Sequence, residues 1–131
     1  DEGEVSPMPS YKFDVYIADL MKEMSDLRES NAEDSEEMCN IIEMKIRYLW
    51  ILRSIYNDPD TYLFWAPVDN HQFPTYRKII KNPMDLGTIT KRVRAGYYED
   101  ADSFAQHVRL VWDNCLRFNA NNPVLCQLSK R

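Results

Sequence analysis

Residues 79–119 read IIKNPMDLGTITKRVRAGYYEDADSFAQHVRLVWDNCLRFN, and this stretch decides the fold class. Asp85 follows a proline and precedes an apolar period, the position of a helix N-cap. Leu86, Ile89 and Val93 then repeat at helical spacing up to Gly96, a glycine placed to stop the helix. The pattern predicts a helix over 86–95. A second helix is expected from Ala101 to Asn119, with Phe104, Val108, Val111, Trp112, Cys115 and Phe118 on its apolar face.

Upstream lies residues 58–84, with Pro59, Pro67, Pro74 and Pro83 among Tyr62, Leu63, Phe64, Trp65, Val68, Phe73, Tyr76, Ile79 and Ile80. So many prolines exclude a long helix. So many large apolar groups argue against disorder. The expectation is an ordered loop packed on a helical bundle, with a short helical turn after Pro74. Before it, a helix is expected from Ser35 to about Asn57, ended by Asn57-Asp58-Pro59. Met38, Ile41, Ile42, Tyr48, Leu49, Leu52, Ile55 and Tyr56 form its wide apolar face, and Ile46 and Trp50 add apolar surface elsewhere. Such a helix needs cover on more than one side. A further helix at 10–27, capped by Ser10 and carrying Phe13, Ile17, Leu20, Met21, Met24 and Leu27, is placed to supply it. Residues 1–35 thus read as an N-terminal extension with an amphipathic helix.

The 131-residue chain is 44% hydrophobic with a net charge of −5. That charge is uneven: residues 1–40 hold 12 acidic against 3 basic side chains, and residues 41–131 hold 9 against 13. A pI near 5.0 argues against direct nucleic-acid binding. Only 3 glycines exclude a glycine-rich phosphate loop. No apolar run reaches the roughly 18 residues of a membrane span. Cys39, Cys115 and Cys126 are odd in number and widely spaced, so reduced thiols are expected, and with His71 and His107 scattered no metal site is. No nucleophile stands in a triad or elbow context, so neither catalysis nor a cofactor is expected. The first residue is Asp1, and the chain reads as an excised fragment.

Asn119 is the chemical lead. Cys115, Trp112, Val108 and Phe104 precede it by four, seven, eleven and fifteen residues, so it ends the inward stripe of its helix. It either caps that helix or turns its carboxamide into a cavity. Pro67, Val68, Phe73 and Tyr76 of the long loop offer apolar walls, and Tyr76 adds a hydroxyl. Apolar walls with a few convergent polar groups suit a neutral, slender aliphatic ligand with an amide at its tip.

The motifs resemble one family. Pro67-Val68-Asp69, Pro74-Thr75-Tyr76, Ile79-Ile80-Lys81-Asn82-Pro83-Met84-Asp85-Leu86, Thr88-Ile89, Gly96-Tyr97-Tyr98, Phe104, Val108-Arg109-Leu110 and Asn114-Cys115-Leu116-Arg117-Phe118-Asn119 stand in the order seen in bromodomains. The likeness covers about residues 36–131. It implies an all-α, left-handed four-helix bundle over about 36–57, 85–95, 101–119 and 124–131, with the sequence ending inside the last helix. It also implies recognition of acetylated lysine, on histone tails or other proteins; the module is expected to be nuclear and non-enzymatic, with monomer as the default state and neither membrane nor nucleic acid as partner. Asn119 falls on the family's acetyl-binding asparagine and Tyr76 on its water-bridging tyrosine. Phe64, Pro67, Val68 and Phe73 would line the pocket, and Val124 would guard its entrance, with Pro123 and Leu125 as alternatives. Tyr62, Leu63 and Trp65 would form the shelf, where the family often has Trp-Pro-Phe. Asp58, Asp60, Asp69, Glu99 and Asp100 would form an acidic rim. Phe118 stands where Tyr is common, and residues 1–35 have no family counterpart. The alternative reading is a helical interaction module with a vestigial pocket, binding a partner through Phe13, Ile17 or Leu20.

Overall fold

Leu49 and Leu52 are fully buried at 0% exposure, and the helix that carries them is covered from two directions. In the computed structural model, which describes residues 11–69, 71 and 73–118, α1 spans Phe13–Ser30 and α2 spans Ser35–Tyr56. A 3-10 helix follows over Pro59–Phe64, then α3 over Tyr76–Ile79, α4 over Leu86–Ala95 and α5 over Ala101–Phe118. No strand occurs among the described residues. The expected helix at 124–131 lies outside them.

Among the described residues, the α1–α2 pairing is the most extensive. Phe13 and Ile17 are buried, and Tyr16, Leu20, Met24 and Leu27 are half-buried against the same core. Those positions are three or four apart, one stripe of an α-helix. Asp14 of α1 accepts from Arg53 Nε of α2 at 2.9 Å, and the Arg94 guanidinium of α4 lies 3.7 Å from the centroid of the Tyr16 ring. Phe13 and Ile17 therefore cannot dock a partner without leaving the core, and of the three residues named for the interaction-module reading half-buried Leu20 alone keeps some exposed surface. The helix begins at Phe13 rather than Ser10, which lies outside the described residues. It runs three residues past Leu27 because Asn31 takes the left-handed conformation (φ 53°) that terminates a helix.

On α2, Ile42, Ile46, Tyr48, Leu49 and Leu52 are buried as expected of a wide apolar face, but Met38, Ile41 and Trp50 are exposed. The covering elements explain the difference: α1 takes one flank of α2, and α4 with the 3-10 helix takes another. Met38, Ile41, Trp50 and also Ile51 are left uncovered. Met21 of α1 is exposed for the same reason.

Residues 58–84 hold more regular structure than expected. Pro59 sits at the first helical position, where its missing N–H is harmless. Asp58 Oδ1 accepts from Asp60 N at 3.0 Å and starts the 3-10 turn. The short helix after Pro74 is α3. Further on, α4 has the expected limits: Asp85 accepts from Thr88 N at 2.8 Å, and Gly96 closes the helix at φ 79°.

The α4–α5 link is held by aromatic contacts. Tyr98 is buried, its hydroxyl 2.7 Å from His107 Nδ1, while Phe104 stacks on Tyr48 at 4.3 Å between centroids. Burial first, and then the Arg92 guanidinium, hold the His107 imidazole below its usual 6.5.

Ile17→Ala is expected to cost about 2–5 kcal/mol in urea unfolding, whereas exposed Val15→Ala should stay within about 0.5 kcal/mol. His107 resists in the folded state a proton that the unfolded chain accepts. Stability should therefore be fully present above 6.5 and decline as pH falls below it. His107→Gln should flatten that part of a stability-versus-pH series.

Candidate functional site

The last two turns of α5 meet the long loop, and the loop is tied to the helices at both of its ends. At its start, Tyr11 donates from its hydroxyl to the Trp65 carbonyl at 3.3 Å. Trp65 Nε1 donates to Thr61 Oγ1 at 3.1 Å. At its end, Asn114 of α5 donates from Nδ2 to the Asn82 carbonyl at 2.8 Å. The buried Asp85 carboxylate then accepts from Thr88 N at 2.8 Å and from Thr88 Oγ1 at 2.7 Å. Within the loop, Asp69 Oδ1 accepts from His71 N at 2.9 Å and the Asp69 carbonyl from Phe73 N at 2.8 Å. This turn sets the approach to Phe73 and α3.

Between these ties the loop lays aromatic rings on α5. Tyr76 is buried, with its ring 4.8 Å from that of Phe118, and Phe73 meets the same ring edge-on at 5.8 Å. Two turns earlier, Phe64 meets Trp112 edge-on at 4.9 Å. Offset and edge-on contacts are favourable geometries for aromatic rings. Burial is the main cause that pushes the Tyr76 phenol up, with Cys115 and Asp85 adding to it and Arg77 opposing. Tyr76 therefore keeps its proton at neutral pH, as an uncharged hydroxyl among apolar rings. Such a wall covers methylene groups and offers a neutral polar atom, and it would disfavour a bare ammonium.

The fold thus gathers Phe64, Phe73 and Tyr76 along one end of α5. Val68 is half-buried and Pro67 exposed. Tyr62 and Leu63 are exposed on the 3-10 helix. Trp65 is different: at 1% exposure it packs with Tyr11, Phe13 and Tyr56 and offers no surface for a shelf. Trp65 directly follows the 3-10 helix and turns inward, where its indole N–H finds Thr61. Asn119, Pro123, Val124 and Leu125 lie outside the described residues. Glu99 and Asp100 do not share this end of the bundle. They precede α5, whose 18 residues span about 27 Å, and Asp100 caps that helix through Ser103 N at 2.8 Å.

Two residues received no role in the sequence reading, although Asn114 stands in the motif series. Asn114 is buried beside the apolar stripe, and a polar residue three positions after Val111 was the available signal. Tyr11, just before α1, had none, because its partner is a backbone carbonyl 54 residues away. Asn114→Ala leaves the Asn82 carbonyl without its donor. The expected loss is about 1–3 kcal/mol in a denaturant titration.

With this geometry in place, comparison with known proteins is specific. The family model described as Bromodomain matches residues 48–131. The chain is 35% identical over 106 residues, 78% of its length, to bromodomain adjacent to zinc finger domain protein 2B of Mus musculus. It is 48% identical over 66 residues, 49% of its length, to bromodomain-containing factor 1 of Candida albicans. The chain spans 5% and 8% of those two proteins. Among solved structures, the bromodomain from human BAZ1A matches with a TM-score of 0.61 at 26% identity, over 64% of this chain and 78% of that one.

Proposed function

The chain belongs to the bromodomain family, and on that premise we propose that it is an acetyl-lysine reader. It binds acetylated histone tails or other acetylated proteins, acts in chromatin and transcription in the nucleus, and catalyses nothing. The observation that carries the reading is Tyr76, a buried neutral phenol seated on Phe118, the residue directly before Asn119.

In this reading the Asn119 carboxamide donates to the acetyl carbonyl. The Tyr76 hydroxyl reaches the same oxygen through an ordered water. Phe64, Pro67, Val68 and Phe73 cover the lysine methylenes, Tyr62 and Leu63 form the shelf, and Val124 stands at the entrance. Acetylation is what admits the side chain. It replaces an ammonium, costly to desolvate among apolar rings, by an amide whose carbonyl a donor can recognise. Asp58, Asp60 and Asp69 would favour lysines and arginines flanking the mark. Affinity is modest, because few contacts offset the ordering of a flexible tail. The module acts as a monomer without direct nucleic-acid contact, in keeping with its acidic balance.

Calorimetric titration with acetylated histone-tail peptides provides the test. Asn119→Ala should weaken binding about tenfold or more. Tyr76→Phe, which removes only a water-mediated contact, should weaken it less. Binding by the Asn119 variant at wild-type strength would rule out the role given to that residue.

A further inference from the structure

We propose that Tyr11 is a positioning residue for the acetyl-lysine loop: its hydroxyl, donated to the Trp65 carbonyl beside Gly87, fixes where Pro67 and Val68 stand. The inference rests on the reader assignment and extends it to a segment that lies before residue 48, where the family match begins.

Two independent observations converge on the same carbonyl. The first is the hydrogen bond at 3.3 Å from Tyr11. The Tyr11 ring is held for that bond by Phe13 and Tyr56, each at 5.6 Å, and by Trp65 at 5.2 Å. Burial first, then the Asp85 carboxylate, push its phenol up, so the hydroxyl stays protonated and able to donate. The second observation is Gly87. This glycine is buried inside α4, where alanine would be the better helix former. A methyl group there would overlap both the Tyr11 hydroxyl and the Trp65 carbonyl oxygen. The glycine therefore provides the space in which these two atoms meet.

The route from this contact to the ligand is short and stiff. Trp65 lies three residues before Val68, at most about 11 Å of extended chain. Pro67 fixes its own φ and restricts Ala66 before it. A displaced Trp65 carbonyl would thus carry Pro67 and Val68 with it rather than be absorbed by flexible chain.

Tyr11→Phe keeps the ring and removes only the hydroxyl. Leu27→Ala is the control, because it loosens α1 at the end remote from the loop. With wild type binding an acetylated peptide, Tyr11→Phe should weaken binding about three- to tenfold and shift the Val68 methyl resonances of the free protein. Leu27→Ala should lower the melting temperature while leaving affinity and those resonances in place. Gly87→Ala should reproduce the Tyr11→Phe affinity loss from the opposite side of the carbonyl. Wild-type affinity in Tyr11→Phe, or an equal loss in Leu27→Ala, overturns the inference while leaving the reader assignment standing. If wild type itself binds no acetylated peptide, the reader assignment fails and takes the inference with it.

Discussion

Among the described residues from Asp58 to Met84 the regular structure is one 3-10 helix and a four-residue α-helix, so the course of this stretch depends on side chains that hold its backbone from outside. Backbone polar groups in such a segment need partners as much as those of a helix do. Asn114 supplies one at Asn82 and Tyr11 another at Trp65. The helix start at Asp85 fixes the exit. Between these points Phe73 and Tyr76 come down on Phe118 of α5, and just before the first of them Phe64 meets Trp112.

The N-terminal helix has a larger role than its position outside the family motif suggests. Phe13 and Ile17 are buried in the same core cluster as Leu49, Leu52 and Leu86. The aromatic group of Tyr11, Phe13, Tyr56 and Trp65 joins α1, the end of α2 and the start of the loop. Trp65 is the centre of that group, which is why it is packed inside while Tyr62 and Leu63, three and two positions earlier, remain outside.

Much of this was legible in the sequence where local chemistry sets the structure. Asp85 and Gly96 mark the ends of α4 by themselves, since capping and left-handed closure are decided within a few residues. The apolar period of α5 and the greasy length of α2 were equally plain. What escaped is tertiary. Whether Met38, Ile41 and Trp50 are covered depends on which neighbours arrive, and periodicity does not say. The 3-10 helix after Pro59 is too short for a period to emerge. Trp65 belongs to the shelf only by resemblance, and its packing on Tyr11, Phe13 and Tyr56 is a tertiary fact. At the candidate site, Tyr76 stands in the motif series and Phe64 and Phe73 are named by the resemblance alone, whereas Asn114 and Tyr11 act on backbone carbonyls 32 and 54 residues away, a distance no local pattern reports.

The central claim is that a neutral lysine amide binds where the loop meets the end of α5. The direct measurement is a nitrogen–proton NMR titration of the protein with one histone-tail peptide in acetylated and unmodified forms. The account predicts saturable shifts with the acetylated peptide, grouped at residues 64–76 and 112–119, and none of comparable size with the unmodified one. Shifts confined to the outer face of α1, or equal responses to both peptides, would contradict it.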